Sequence, residues 1–81
     1  MSIKIYGTKM CAYCQKAKEW FESKNLAYEY FDVGADKLRA EEMLKLSGSF
    51  SVPTILINGN ICVGWNQSRA EKLLESRGEN V

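Results

Sequence analysis

The chain has 81 residues, of which 46% are hydrophobic and 26% are charged. This composition is typical of one compact globular domain over residues 1–81, and it excludes collagen-like repeats and disordered tails. Eleven Lys and Arg residues against ten Asp and Glu residues give a net charge of +1, without the basic excess typical of nucleic-acid-binding domains. Because no apolar stretch approaches the ~20 residues that span a bilayer, we expect neither a nucleic-acid partner nor a membrane partner.

The N-terminal third of the sequence predicts a strand followed by a helix. Residues 3–6 are β-branched, charged and aromatic in a strand-like pattern that ends at the Gly7-Thr8 turn. From about residue 12 to residue 24 the period becomes helical, with apolar side chains at three- and four-residue spacings on one face. The residues on this predicted face are Tyr13, Cys14, Ala17, Trp20 and Phe21.

The middle of the chain predicts a second strand and a second helix. Residues 27–33 are rich in aromatic side chains, which favour strands. A charged helix is predicted between Asp36 and Ser47, and Gly48 is suited to end it. The apolar stripe predicted for this helix consists of Leu38, Ala40, Met43 and Leu44.

The C-terminal third predicts a hairpin and a last helix. Strands at residues 54–57 and 61–63 flank an Asn-Gly-Asn sequence at residues 58–60, which is a strong hairpin signal. Ser68 and the Glu three residues later match a capping box, and Gly78 is expected to end the helix. Two strands joined through a helix favour parallel pairing. The order β-α-β-α-β-β-α therefore predicts an α/β fold with a mixed four-stranded sheet flanked by three helices.

Three cysteines and the absence of histidine direct attention to thiol chemistry. An odd number of cysteines without a secretory signal favours free thiols in a reducing, cytoplasmic setting. Cys11 and Cys14 lie where the first strand meets the first helix. Free backbone N–H groups there favour the thiolate of Cys11, and the spacing brings a less exposed Cys14 within reach for disulfide exchange. Half of a zinc site and a pair of buried core cysteines are the alternatives.

Four features, in this order and spacing, resemble the glutaredoxin family along nearly the whole chain. They are Tyr6 five residues before Cys11, the motif Cys11-Ala12-Tyr13-Cys14, the segment Ser51-Val52-Pro53 and the pair Val63-Gly64. The resemblance implies a thioredoxin-like fold and a glutathione-dependent thiol–disulfide oxidoreductase. In this interpretation Cys11 attacks a disulfide and Cys14 resolves the mixed disulfide that results.

The resemblance also implies a glutathione groove and a set of partners. The backbone of Val52 would pair with glutathione beside a cis Pro53, and Gly64 would hold the γ-glutamyl end at the last helix. The other groove candidates are Lys9, Tyr13, Trp65, Asn66 and Gln67, with Lys16 and Arg39 as weaker candidates for the carboxylate. We expect glutathione as co-substrate, no permanently bound cofactor or metal, and a monomer acting on protein disulfides, including that of ribonucleotide reductase. Cys62 is expected in the core.

Three departures from the family pattern keep alternatives open. Thr8 stands where lysine is usual, and Asn66 and Gln67 replace two acidic residues. One alternative is therefore a hydrogen donor of ribonucleotide reductase that is itself reduced by thioredoxin reductase. Ala12 replaces proline, which leaves open a [2Fe–2S] carrier that uses glutathione as a ligand. A non-catalytic interaction module is the third alternative.

Overall fold

Seven elements follow one another in the predicted order in the computed structural model of the chain, which describes residues 3–76. They are β1 (Ile3–Gly7), α1 (Ala12–Ser23), β2 (Glu29–Asp32), α2 (Lys37–Ser47), β3 (Thr54–Ile57), β4 (Asn60–Val63) and α3 (Gln67–Ser76). The predicted helix stop at Gly78 lies outside the described residues. None of the helices in residues 3–76 is long and apolar enough to cross a membrane.

The four strands form one mixed sheet in the order β2-β1-β3-β4. Strand β1 pairs parallel with β2, to which α1 connects it, and antiparallel with β3. Strands β3 and β4 form the predicted antiparallel hairpin. The predicted mixed sheet with three helices is therefore confirmed, and β1 lies at its centre with the cysteine motif directly after its C-terminal end.

The main core lies between the sheet and the helices α1 and α3. Side chains alternate along a strand, so Ile3 and Ile5 of β1 face the same side as Ile55 and Ile57 of β3. Burial of side chains of this size contributes about 1.5–3 kcal/mol each. The buried cluster consists of Ile3, Ile5, Ala17, Phe21, Ile55, Ile57, Cys62 and Ala70. The prediction of Cys62 as a core residue is confirmed.

Helix α2 covers the opposite face of the sheet and makes polar as well as apolar contacts. The hydroxyl of Tyr6 donates to Glu42 Oε2 at 3.0 Å. Arg39 Nη1 donates to both carboxylate oxygens of Glu42, at 3.0 and 2.9 Å, and its guanidinium lies 4.0 Å from the centroid of the Phe31 ring. Met43 is fully buried beside this network. Arg39 is thus engaged in holding α2 on the sheet.

The ends of α2 lie where the sequence predicts them, whereas the start of α3 does not. Asp36 caps α2 by accepting from two backbone N–H groups, and Gly48 ends the helix with φ of 74°. The predicted cap of α3 at Ser68 is wrong, because Asn66 Oδ1 accepts from the backbone N–H of Arg69 at 3.1 Å and the helix begins at Gln67. Asn is as good a cap as Ser, and it comes first in the chain.

Three residues predicted on apolar faces are exposed. Leu38 is 76% exposed, Tyr13 is 61% exposed and Leu44 is 37% exposed. On α2, Arg39 and Glu42 contact sheet residues and Met43 is buried, at three- and four-residue spacings. Leu38 lies about 100° round the helix from Arg39. The second strand is shorter than the predicted residues 27–33, since its register with β1 runs only from Glu29 to Asp32.

Three lysines of the α1 region lie over aromatic rings. Such a cation over a ring contributes about 0.5–1 kcal/mol at an exposed position. The pairs are Lys16 over Tyr13 at 5.3 Å, Lys18 over Tyr30 at 4.8 Å and Lys24 over Trp20 at 5.7 Å, each measured from Nζ to the ring centroid.

Candidate active site

Cys11 is the N-cap residue of α1. Its backbone is extended, with φ of −82° and ψ of 115°, and its Sγ accepts a hydrogen bond from the backbone N–H of Cys14 at 3.2 Å. The first N–H groups of a helix have no partner within the helix and carry partial positive charge. The capping position therefore places the Cys11 sulfur against a hydrogen-bond donor at the positive end of the helix. Cys11 lies where the sequence predicts it, half-buried at the start of the helix.

Cys14 lies one turn further along and is fully buried. Burial raises the pKa of its thiol to about 11, and the neighbouring Cys11 contributes to the same effect. At neutral pH Cys14 is therefore a protonated thiol, whereas Cys11 is in contact with solvent. Both cysteines are free in the structure. The two thiols therefore have different environments, since the Cys11 sulfur is accessible to solvent and the Cys14 sulfur is buried.

Gly7 and Tyr30 are close neighbours of Cys14. A Cβ atom built on Gly7 would lie 2.6 Å from Cys14 Sγ and 2.6 Å from the Tyr30 hydroxyl oxygen, so only glycine leaves room for both groups. The Tyr30 hydroxyl donates to the Thr8 carbonyl oxygen at 2.8 Å. Burial raises the pKa of Tyr30 above its ordinary value, with a further contribution from Cys14. Sequence reasoning missed Tyr30 as a neighbour of the cysteines, although its place in β2 beside β1 offered a signal.

The two ends of the hairpin lie beside the C-terminal end of β1, since Thr54 pairs with Tyr6. The Val52–Pro53 peptide bond is cis, as the resemblance implies, and Pro53 is buried. The backbone N–H of Gly64 donates to the Pro53 carbonyl oxygen at 2.7 Å. Gly64 has φ of 83°, a left-handed conformation that glycine adopts without steric cost. Pro53 and Gly64 are thus brought together, while Val52 beside them is half-buried.

The remaining groove candidates differ in their surroundings. Trp65 packs on the core, with its ring 5.6 Å from Trp20 and 5.9 Å from Phe21. Asn66 is exposed and caps α3 through its side-chain oxygen. The candidates Lys9, Tyr13 and Gln67 are exposed.

Exposed apolar side chains occur next to several residues of the site. Met10 precedes Cys11 and is 94% exposed, while Val63, before Gly64, is half exposed. Within residues 3–76 there is no group of three or more Cys, Asp or Glu side chains placed to hold a metal ion. The site as described consists of thiols, the Tyr30 hydroxyl, backbone groups and apolar surface.

The sequence profile of the glutaredoxin family matches residues 3–62. The chain belongs to the glutaredoxin family. Membership implies thiol–disulfide oxidoreductase activity, and the cysteine geometry described above is consistent with that chemistry.

Two relatives and one solved structure show how closely this glutaredoxin resembles known proteins. It is 45% identical over 73 residues to a glutaredoxin-like 8.6 kDa protein of the rubredoxin operon of Clostridium pasteurianum, covering 90% of this chain and 97% of the relative. It is 31% identical over 77 residues to glutaredoxin 3 of Escherichia coli K12, covering 95% and 89%. The structure of the thioredoxin-like protein BC3987 mutant T8A has a TM-score of 0.86 at 32% identity, covering 91% and 95%.

Proposed function

We propose that this glutaredoxin reduces protein disulfides and glutathione mixed disulfides by dithiol exchange, with glutathione as co-substrate and reductant. The observation that carries the proposal is the Cys11 sulfur at the N-terminus of α1, which accepts the Cys14 N–H at 3.2 Å while the Cys14 thiol is buried one turn away. The nucleophile is accessible and the resolving thiol is protected. The free thiols at all three cysteines fit the reducing cytoplasm.

The exchange takes place in two steps. The Cys11 thiolate attacks one sulfur of the substrate disulfide, so that a Cys11–substrate disulfide forms and the other sulfur leaves as a thiolate that takes a proton from solvent. Cys14 then loses its proton and attacks the Cys11 sulfur, which releases the second substrate thiol and leaves a Cys11–Cys14 disulfide. Two glutathione molecules reduce this disulfide to two thiols and are oxidised to glutathione disulfide.

The glutathione groove is proposed between the cysteine loop and the ends of the hairpin. Val52 offers backbone groups for a strand-like pairing with the peptide, next to the buried Pro53. Gly64 and the N-terminus of α3, with Asn66 and Gln67, suit the γ-glutamyl carboxylate, since helix N-termini favour anions. The remaining groove candidates are Lys9 for the other carboxylate, and Tyr13 and Trp65 as apolar surface. A monomer suffices for this chemistry, and the substrates would be disulfide-containing proteins such as ribonucleotide reductase.

A second candidate function is a hydrogen donor reduced by thioredoxin reductase. Asn66 and Gln67 supply no carboxylate for the ammonium group of glutathione, and the Asn66 side chain is already engaged as a helix cap. Glutathione binding would then depend on backbone contacts. The solved structure that is 32% identical to this chain is described as thioredoxin-like, which also favours this candidate.

The iron–sulfur alternative has less support. Cys14 and Cys62 are buried, so Cys11 is the one accessible thiol that the chain supplies. Disulfide exchange needs a single accessible thiolate, whereas a [2Fe–2S] cluster would need three further ligands from glutathione and a second copy.

The deciding experiment compares two electron donors in steady-state assays. The protein is given a glutathione mixed disulfide with glutathione, glutathione reductase and NADPH, or insulin with thioredoxin reductase and NADPH. We expect turnover with the glutathione system and its loss in Cys11→Ser. Cys14→Ser should retain turnover of this substrate, because a second glutathione can attack the Cys11–glutathione disulfide, which releases glutathione disulfide and restores the Cys11 thiol without Cys14. Cys62→Ser is the matched control, because it removes a thiol outside the site, and it is expected to be active. Activity with thioredoxin reductase alone would overturn the first candidate in favour of the second.

A further inference from the structure

The space above Gly7 holds two polar groups from different elements. Because Gly7 has no side chain, Cys14 Sγ from α1 and the Tyr30 hydroxyl from β2 both lie within 2.6 Å of the position that a Cβ atom would occupy. The two atoms therefore share one small buried space beneath the cysteine motif. The attack by Cys11 and the resolution by Cys14, as described above, do not involve Tyr30.

The hydroxyl of Tyr30 has one established partner and capacity for another. It donates to the Thr8 carbonyl oxygen at 2.8 Å, which leaves its own oxygen free to accept from the Cys14 thiol. When Cys14 loses its proton, rotation about the phenol C–O bond breaks the hydrogen bond to the Thr8 carbonyl oxygen and lets the same hydroxyl donate to the thiolate. Hydrogen bonds to an ionised group are stronger than neutral ones, so this interaction favours the anion.

The charged and titratable groups around this space come from two elements. Cys11 and Lys18 face it from α1, with the Lys18 ammonium 4.8 Å from the centroid of the Tyr30 ring, and Asp32 faces it from β2. The cation over the ring makes the phenol a better donor, because it stabilises negative charge on the ring system. Burial raises the pKa of Cys14, and the Thr8 backbone and the Tyr30 hydroxyl oppose that increase.

We propose that Tyr30 is a positioning residue for the resolving step, in which its hydroxyl hydrogen-bonds the Cys14 sulfur and stabilises the thiolate that attacks the Cys11 mixed disulfide. The inference rests on the proposed dithiol function and specifies how its second step is assisted. In that step the Cys14–Cys11 bond forms and the bond from Cys11 to the substrate sulfur breaks. The Cys14 proton passes to solvent, and the departing thiolate takes a proton from solvent. Tyr30 keeps its own proton throughout.

The test follows both thiols in one rapid-mixing experiment. The reduced protein is mixed with one equivalent of 5,5′-dithiobis(2-nitrobenzoic acid), and the release of thionitrobenzoate is recorded at a series of pH values. Attack by Cys11 releases the first thionitrobenzoate, and resolution by Cys14 releases the second. For Tyr30→Phe we expect an unchanged first phase, whereas the second phase becomes roughly ten-fold slower at neutral pH and its midpoint moves about one pH unit to the alkaline side.

Tyr28→Phe is the matched control, because it removes a hydroxyl two residues away that bonds Glu22. Its second phase is expected to equal that of the wild type. Lys18→Met keeps the Tyr30 hydroxyl and serves as the second variant if Tyr30→Phe does not fold. We expect the midpoint of its second phase to move to the alkaline side by less than in Tyr30→Phe.

The outcomes separate the two proposals. If the wild type shows the second phase and Tyr30→Phe has the same rate and midpoint for it, the role of Tyr30 is overturned and the dithiol function remains. A slower second phase without any shift of midpoint also overturns it, since a purely structural role would give that result. Release of only one thionitrobenzoate by the wild type overturns the dithiol function itself, and the inference falls with it.

Discussion

The backbone N–H of Gly64 donates a hydrogen bond of 2.7 Å to the carbonyl oxygen of Pro53. Pro53 immediately precedes β3 and Gly64 immediately follows β4, so this bond continues the ladder beyond the Thr54–Val63 pair. The two loops that are proposed to hold glutathione are therefore joined to each other and to the sheet. A change at either residue affects the shape of both.

Gly64→Ala is expected to weaken both stability and glutathione binding. Gly64 has φ of 83° and no atom of the described residues within 4 Å of an added methyl group, so the cost is backbone strain of about 1 kcal/mol. Gly59→Ala is the matched control, with φ of 89° and equally open space in the hairpin turn. Both variants should lose similar unfolding free energy in urea, but only Gly64→Ala should raise KM for a glutathione mixed disulfide. An equal increase in KM for both would contradict the prediction.

The three thiols are expected to differ sharply towards alkylation. Cys11 is half-buried at the start of α1, whereas Cys14 is fully buried and burial raises its pKa to about 11. Burial also raises the pKa of Cys62. Iodoacetamide at neutral pH should therefore modify Cys11 alone, as peptide mapping by mass spectrometry would show. In guanidinium chloride all three should react. Modification of Cys14 at the rate of Cys11 in the folded protein would contradict this structure of the site.

Glu42→Gln is expected to reduce the acid sensitivity of the fold. Burial alone would raise the pKa of Glu42, but hydrogen bonds from Arg39 and Tyr6 outweigh it, so the pKa lies below the ordinary value of 4.5. A lowered pKa in the folded state gives stability that is present above the unfolded-state pKa and is lost as the pH falls through the folded-state value.

Urea unfolding at pH values from neutral to acidic measures this effect. The wild type should lose more unfolding free energy below the ordinary carboxyl pKa than Glu42→Gln does. Glu41→Gln, at the exposed neighbouring position, is the control and should behave as the wild type. If Glu41→Gln and Glu42→Gln reduced the acid sensitivity equally, the network with Arg39 and Tyr6 would not be its source.

Asp36→Ala is expected to destabilise α2 by about 1 kcal/mol, the usual cost of losing an N-cap side chain. Asp36 Oδ1 accepts from the backbone N–H groups of Leu38 and Arg39, at 3.1 and 3.3 Å. Asp36→Ser keeps a side-chain oxygen in this position and should retain most of the stability. Urea unfolding at neutral pH compares the wild type with the two variants. Equal losses of unfolding free energy in Asp36→Ala and Asp36→Ser would show that the capping oxygen contributes little.

Local signals made most of the fold predictable from sequence. The strand at residues 3–6, the Asn-Gly hairpin turn and the helix stop at Gly48 each depend on neighbours within a few residues, and the structure has all of them. The position of Cys11 at the start of α1 was predictable for the same reason. The cap of α3 was not, because Asn66 and Ser68 are both good capping residues and the local sequence does not distinguish them.

Features that depend on distant residues could not be predicted from the sequence patterns. The exposure of Leu38 is set by which side of α2 meets the sheet, and hydrophobic spacing alone placed that side wrongly. The approach of Tyr30 to Cys14 depends on the register of β2 against β1 and on the missing side chain at Gly7. The sequence favours parallel pairing of β1 and β2, but composition and spacing give neither the register of that pairing nor the side of α2 that meets the sheet.

The lysines that lie over rings also determine how the site responds to ionic strength. Lys16 is held over Tyr13, next to the cysteine motif, and Lys18 is held over Tyr30 beneath it. Although the whole chain carries a net charge of only +1, these contacts hold two lysine ammonium groups along the helix that Cys11 caps. The proposed co-substrate glutathione is anionic, so its capture should be faster in dilute buffer, because added salt screens the attraction over about 10 Å at 0.1 M.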